Sequence, residues 1–221
     1  MSGGPFSGAT GAAAASHHAG ADASGPRPTE TRLYFVRHAH SAYEHGRELE
    51  RGLSAAGEAE ARAICRRLER EGIERFVSSP YRRAIDTIRP LADAAGQDIE
   101  LHADLRERLV SGERDLGPEG FLEAKRRCYA EPDYRPPGGE SSREAAARAV
   151  SVVRGLLREH PGRRIAIGTH GDILTLMLGT FDPGFGYDFW QSLSMPDAYC
   201  ARFAGERFLG AERIGYGCGE K

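Results

Sequence analysis

The chain has 221 residues, 40% of them apolar and 28% charged, with a formal net charge of −2. That length suits one good-sized folded domain, and without a net basic field the composition makes no case for nucleic acid or an anionic membrane as partner. Cys65, Cys128, Cys200 and Cys218 stand too far apart for a zinc knuckle or a small disulfide framework; four ordinary thiols fit a reducing, cytoplasmic compartment, and no apolar run approaches the ~18 residues of a membrane span.

Residues 1–30 form a Gly/Ala/Ser/Pro tract without periodicity. It lacks the basic start and apolar core of a signal peptide and offers too little apolar surface to offset the entropy of ordering, so a disordered tail is expected there. The domain should occupy 31–221. "RLYFV" (32–36) reads as a short strand running into Arg37-His38-Ala39-His40. "LSAAGEAEARAICRRLEREG" reads as a helix capped by Ser54 and stopped at Gly72. After a strand in "IERFVSS", "SPYRRAIDTIRPLADAAG" predicts a helix with Ser79 as cap and Pro80 at its first position. Pro90 should kink or divide it. "DIELH" is a third strand.

Residues 108–137 carry a weaker pattern, with one helical piece near "FLEAKRRCYA", and are expected to be an insertion or lid. "ESSREAAARAVSVVRGLLREH" predicts a helix opened by a Ser141-x-x-Glu144 capping box, its apolar stripe at Ala145, Ala149, Val152, Val153 and Leu156. A buried strand, "RRIAIGTH", then leads into the helix "GDILTLMLG", and "AYCARFAG" with "RFLGAERIG" should close the chain as a hairpin. Alternating strands and helices predict an α/β fold, a largely parallel sheet with helices on both faces. Ligands bind such sheets beyond the carboxyl ends of the strands, which here fall at Arg37-His38, Ser78-Ser79, His102 and Thr169-His170.

Two chemistries compete for that edge. His38 and His40 could be paired metal ligands, as on eight-stranded α/β barrels, but that fold takes about 250 residues and the chain supplies fewer than eight βα units. Alternatively, one histidine reacts with a phosphoryl group, which requires cations for its oxygens and a proton donor for the leaving alcohol. Arg37 adjoins His38, and Arg82 and Arg83 open a helix whose positive end favours an anion. His170 lies between strand and helix with Gly171 beside it, and Asp104 and Glu107 follow the third strand.

In this order the motifs resemble those of the histidine phosphatase superfamily, the phosphoglycerate-mutase-like proteins. The family's Arg-His-Gly-Glu-Ser/Thr is similar to Arg37-His38-Ala39-His40-Ser41, and its Leu-Thr-x-x-Gly-x-x-Gln-Ala to the run from Leu53 to Ala61. Its Ser-x-Leu-x-Arg-Ala-x-x-Thr resembles Ser78 to Thr87, which makes Arg83 the core arginine. Leu105-Arg106-Glu107 resembles the acid segment, Gly138-Gly139-Glu140-Ser141 the Gly-Gly-Glu-Ser motif, and His170-Gly171 the closing His-Gly. The resemblance spans about residues 32–203. It departs at His40, where the family has Glu or a similar residue, and at Glu44, where many members have Asn.

The resemblance implies a three-layer α/β/α domain with a small insertion over the active site. It implies phosphomonoester hydrolysis without metal or other cofactor, through a phosphohistidine on His38. Arg37, Arg83 and His170 would hold the phosphoryl oxygens, and Glu107 would act as general acid and base. His40, Ser41, Glu44, Arg82 and Gly171 would line the rim or the substrate. The expected partner is a small-molecule phosphomonoester, and a homodimer is compatible with the sequence. A phosphoglycerate-mutase-type phosphoryl transferase and a catalytically silent phospho-ligand binding module on the same fold are the alternatives.

Overall fold

The structure, a computed structural model, describes Met1 and residues 29–42, 47–111 and 116–214. Residues 2–28 of the expected tail and Glu44 lie outside the described residues, while Glu30, assigned to the tail, opens the first strand because it pairs with Ala204. Hydrophobic strands pair into a six-stranded sheet of order β3-β2-β4-β1-β5-β6. They are β1 (Glu30–Arg37), β2 (Arg75–Ser78), β3 (Ile99–Leu101), β4 (Arg164–Thr169), β5 (Asp197–Ala204) and β6 (Arg207–Arg213). β1, β2, β3 and β4 run parallel, and the β5–β6 hairpin adds antiparallel to β1.

Strand periodicity sorts the core into two layers. Leu33, Phe35, Ile165 and Ile167 face α4 (Ser142–Glu159) and α5 (Gly171–Phe181), while Tyr34, Val36 and Ala166 face α1 (Ala55–Leu68) and α2 (Arg82–Ala94). Helices on both faces of the central strands make the expected three-layer α/β/α sandwich, and burial on both sides is why β1 and β4 read as continuous apolar runs. Helix α3 (Gly117–Ala130) lies in the insertion, and the short α6 (Tyr187–Ser192) follows α5. Among the described residues no helix is long and apolar enough to cross a membrane.

Local signals held at α1 and α4. Ser54 accepts the Gly57 N–H at 3.1 Å, and Ser141 and Glu144 complete a capping box. On α4, however, Val150 and Leu157 share the buried stripe with Ala145, Ala149, Val153 and Leu156, and Val152 is only half-buried. Helix α2 departs further from the expectation. It begins at Arg82, two residues beyond Pro80, because Tyr81 is extended; the Ser79 hydroxyl accepts the Tyr81 N–H at 3.2 Å and also meets His170 at 2.8 Å. It also continues through Pro90. The carbonyl a proline leaves without its helical partner lies four residues earlier, at Asp86, and both residues are half-exposed.

Candidate active site

The carboxyl ends of β1, β2 and β4 come together, while the side chain of His102, at the end of β3, pairs with Glu100 instead. The His38 N–H donates to the Thr169 carbonyl at 2.9 Å, tying the ends of β1 and β4 together. The two histidine rings meet edge to face, centroids 5.2 Å apart. His38 is buried, and its Nδ1 lies 2.8 Å from the Ala39 carbonyl. A carbonyl only accepts, so Nδ1 carries the proton and the lone pair is on Nε2. Burial, with help from Arg83 and Arg37, pulls its pKa down to about 3. The ring is neutral throughout the ordinary pH range.

His170 is fully buried, and burial together with His38 and nearby guanidinium groups holds its pKa well below the usual histidine value. Ser79 Oγ contacts its Nε2, leaving Nδ1 with no hydrogen-bond partner among the described residues. Arg37 Nη1 donates to the carbonyls of Leu193 and Ser194, both at 3.0 Å. Arg83, 2% exposed, donates through Nη1 to the Glu48 carbonyl at 2.8 Å and stacks on the Tyr81 ring. Burial lowers the pKa of both guanidinium groups, which nevertheless remain cations. Their Nε atoms are buried without partners among the described residues. Three orphaned polar atoms around one histidine are unusual in a folded interior, where such groups are nearly always paired.

Glu107 takes the opposite wall. Its carboxylate accepts the N–H groups of Arg108, Asp172 and Ile173 at 2.9, 3.2 and 3.0 Å, which seats it on the first turn of α5. Arg148 fixes the segment from behind, donating to the carbonyls of Asp104 and Arg106 at 2.6 and 2.9 Å and pairing with Glu140. Asp104 is exposed and pairs with Arg106, whereas Glu107 is half-buried against the turn that follows His170. At Gly171 a Cβ would lie 3.0 Å from Arg37 Nε, so any side chain there would press on that guanidinium.

The remaining candidates lie further out. Ser41 is buried beside the end of β1. His40 is exposed, and its Nδ1 lies 2.8 Å from the hydroxyl of Ser54, the α1 cap. The Arg-His-x-His pair is therefore divided between pocket and surface. Arg82 is exposed and pairs with Asp86. Among the described residues no group of three or more His, Cys, Asp or Glu could hold a metal ion. A separate cleft of about 750 Å³, lined by Tyr129, Val150, Leu176 and Phe185 among others, contains none of the strand-end residues.

Sequence reasoning missed Tyr81, whose ring also packs edge to face on His170 at 5.1 Å, and the contribution of Leu193 and Ser194. It also passed over Asp172. Asp172 is fully buried and pairs with Arg108 at 2.5 Å and Lys125 at 2.7 Å, while Tyr129 donates to it at 2.6 Å. Burial would raise the pKa of this carboxyl, but the two cations hold it below the usual range. Lys125 and Tyr129 belong to α3, so the expected lid is anchored to the same helix start as Glu107. The signal available was Asp172 itself, a charge inside an otherwise apolar helix.

The family model of the histidine phosphatase superfamily (branch 1) matches residues 33–206. A protein named as a probable phosphoglycerate mutase, GpmB of Enterobacter sp. (strain 638), is 31% identical over 158 residues, covering 67% of this chain and 73% of its own. A metal-independent phosphoserine phosphatase of Arabidopsis thaliana is also 31% identical, over 159 residues, covering 65% of this chain and 66% of its own. Among solved structures, a mycobacterial glucosyl-3-phosphoglycerate phosphatase superposes with a TM-score of 0.68 at 22% identity, over 83% of this chain and 97% of the other.

Proposed function

Because the chain belongs to the histidine phosphatase superfamily, we propose that it hydrolyses phosphomonoesters without a metal, through a phosphohistidine on His38. The observation that carries this reading is the set of partnerless buried atoms, Arg37 Nε, Arg83 Nε and His170 Nδ1, gathered around a histidine whose free lone pair is on Nε2. A phosphoryl group supplies oxygens for all three donors.

In the first step His38 Nε2 attacks phosphorus while the ester oxygen departs with the proton of the Glu107 carboxyl group. In the second, Glu107 takes a proton from water, which attacks the same phosphorus and releases phosphate and neutral His38. Arg37, Arg83 and His170 balance the charge spread over the phosphoryl oxygens in both transition states. The carbonyls of Leu193 and Ser194 fix one guanidinium and the Glu48 carbonyl the other, so little reorganisation accompanies the reaction. Fixed cations supply the stabilisation for which other phosphatases recruit a metal.

Hydrolysis is favoured over mutase chemistry by the short connection of residues 108–137, in which α3 is the single helix among the described residues. A small-molecule ester suits the recessed position of His38. The test is phosphate release from a panel of phosphomonoesters in excess EDTA, with His38→Ala and Glu107→Gln beside the native chain. Release should survive EDTA and disappear in His38→Ala. Glu107→Gln should slow it by about 10²–10⁴. Loss of release in EDTA would overturn the metal-free reading. Interconversion of phosphoglycerates without phosphate release would replace hydrolysis by mutase chemistry, which the Enterobacter relative's name favours. Phosphate binding without any turnover would make the domain a binding module.

A further inference from the structure

One anion already occupies the edge of the cationic pocket. Glu48 Oε2 lies 3.0 Å from Arg51 Nη2 and 3.1 Å from Arg83 Nη1, so two guanidinium groups converge on one carboxylate oxygen. Their surroundings differ sharply from those of the acid. The side chains of Arg51 and Arg83 are 13% and 3% exposed, whereas that of Glu48 is 42% exposed. The two cations are largely buried, whereas the anion is open to solvent. Arg51 also lies near enough to His38, His170 and Arg83 to disfavour a positive charge on each.

We propose that Arg51 is a further phosphate-binding residue, and that Glu48 is the anion it shares with Arg83 until a phosphoryl oxygen takes its place. This rests on the phosphate reading of the pocket given above. The point held by Glu48 Oε2 is within hydrogen-bond reach of both guanidinium groups, so an oxygen placed there by a phosphoryl group gains a second charged donor besides Arg83. Displacement of Glu48 also removes a negative charge from the path of an incoming dianion. The Arg83 bond to the Glu48 backbone carbonyl, at 2.8 Å, is independent of the carboxylate and keeps the guanidinium in place when the side chain swings out. Glu48 therefore sets the threshold for ligands: weakly charged anions leave it in place, and a phosphate dianion replaces it.

Titration calorimetry with inorganic phosphate tests this without requiring turnover. Glu48→Gln keeps the shape of the resident group but removes its charge, and should bind phosphate several-fold more tightly than the native chain. Arg51→Gln should weaken binding by about tenfold, the usual scale for one charge-assisted hydrogen bond. Arg51→Lys, which retains the charge but not the fork, should fall between and serves if the Gln variant melts early. Unchanged or weaker binding by Glu48→Gln, or unaltered binding by both Arg51 variants, would overturn the proposal. Failure of the hydrolase reading looks different: the native chain would bind phosphate, with these variants ranked as expected, and release none from esters.

Discussion

Thr87 couples the end of β1 to the first turn of α2 through a single hydroxyl. Its Oγ1 accepts the Ala39 N–H at 2.9 Å and donates to the Arg83 carbonyl at 2.7 Å, all within the buried interior. Thr87→Val keeps the shape and leaves the Ala39 N–H buried without a partner. An orphaned donor of this kind costs about 1–3 kcal/mol, so urea denaturation should show that loss while Thr87→Ser recovers most of it. Because Ala39 also holds His38 Nδ1, activity on phosphomonoesters should fall with the valine variant. At this scale the sequence was readable where a polar side chain ends a strand pattern, as for His38 and His170, while Arg83, at the start of α2, was separated from Arg82 only by the family resemblance. It was silent on Glu48, Arg51 and Tyr81. Their positions depend on where a connecting segment folds back, and nothing in the spacing of polar residues within a loop records that.

Among the elements, α1 shows how a helix start is pinned to the site. Ser54 caps it and its N–H donates to the His40 carbonyl at 3.0 Å, and that same carbonyl would lie 2.0 Å from a Cβ on Gly57. No side chain fits without moving the helix away from the loop after β1. Overpacking at buried backbone costs about 1–3 kcal/mol, and Gly57→Ala should lose at least that much in thermal or urea unfolding. The cap was legible because its chemistry is local; the need for glycine was not, since it comes from a residue 17 positions earlier. The start of α2 was misread for a related reason. Ser79 has the chemistry of a cap and accepts the Tyr81 N–H at 3.2 Å, but the same hydroxyl is shared with a tertiary partner, His170, and the helix starts only at Arg82. Helix α6, "YDFWQS", is too short to show a period.

For the molecule as a whole, two neutral histidines enclosed beside arginines carry a cost that depends on pH. Their pKa values are depressed in the folded chain, His38 to about 3. Below the ordinary histidine value of about 6.5 the unfolded chain takes up protons that the folded chain refuses. Stability is therefore unaffected above that pH and declines as pH falls, by about 1.4 kcal/mol per pH unit for each histidine. Urea-unfolding free energies between pH 6 and 4 should fall less steeply for His38→Gln than for the native chain, by about one such increment per unit. Parallel slopes would mean that His38 is already charged in the native protein. The parallel sheet was legible from the alternation of strands and helices, but the strand order was not, because pairing β1 with β4 joins segments more than a hundred residues apart. The anchoring of α3 on Asp172 has an evolutionary consequence. Lys125 and Cys128 are its buried residues, while Phe121 and Leu122 face outward. The exposed face is thus free to diverge between descendants while the anchored face, tied through Lys125 and Tyr129 to Asp172, is held to its present residues.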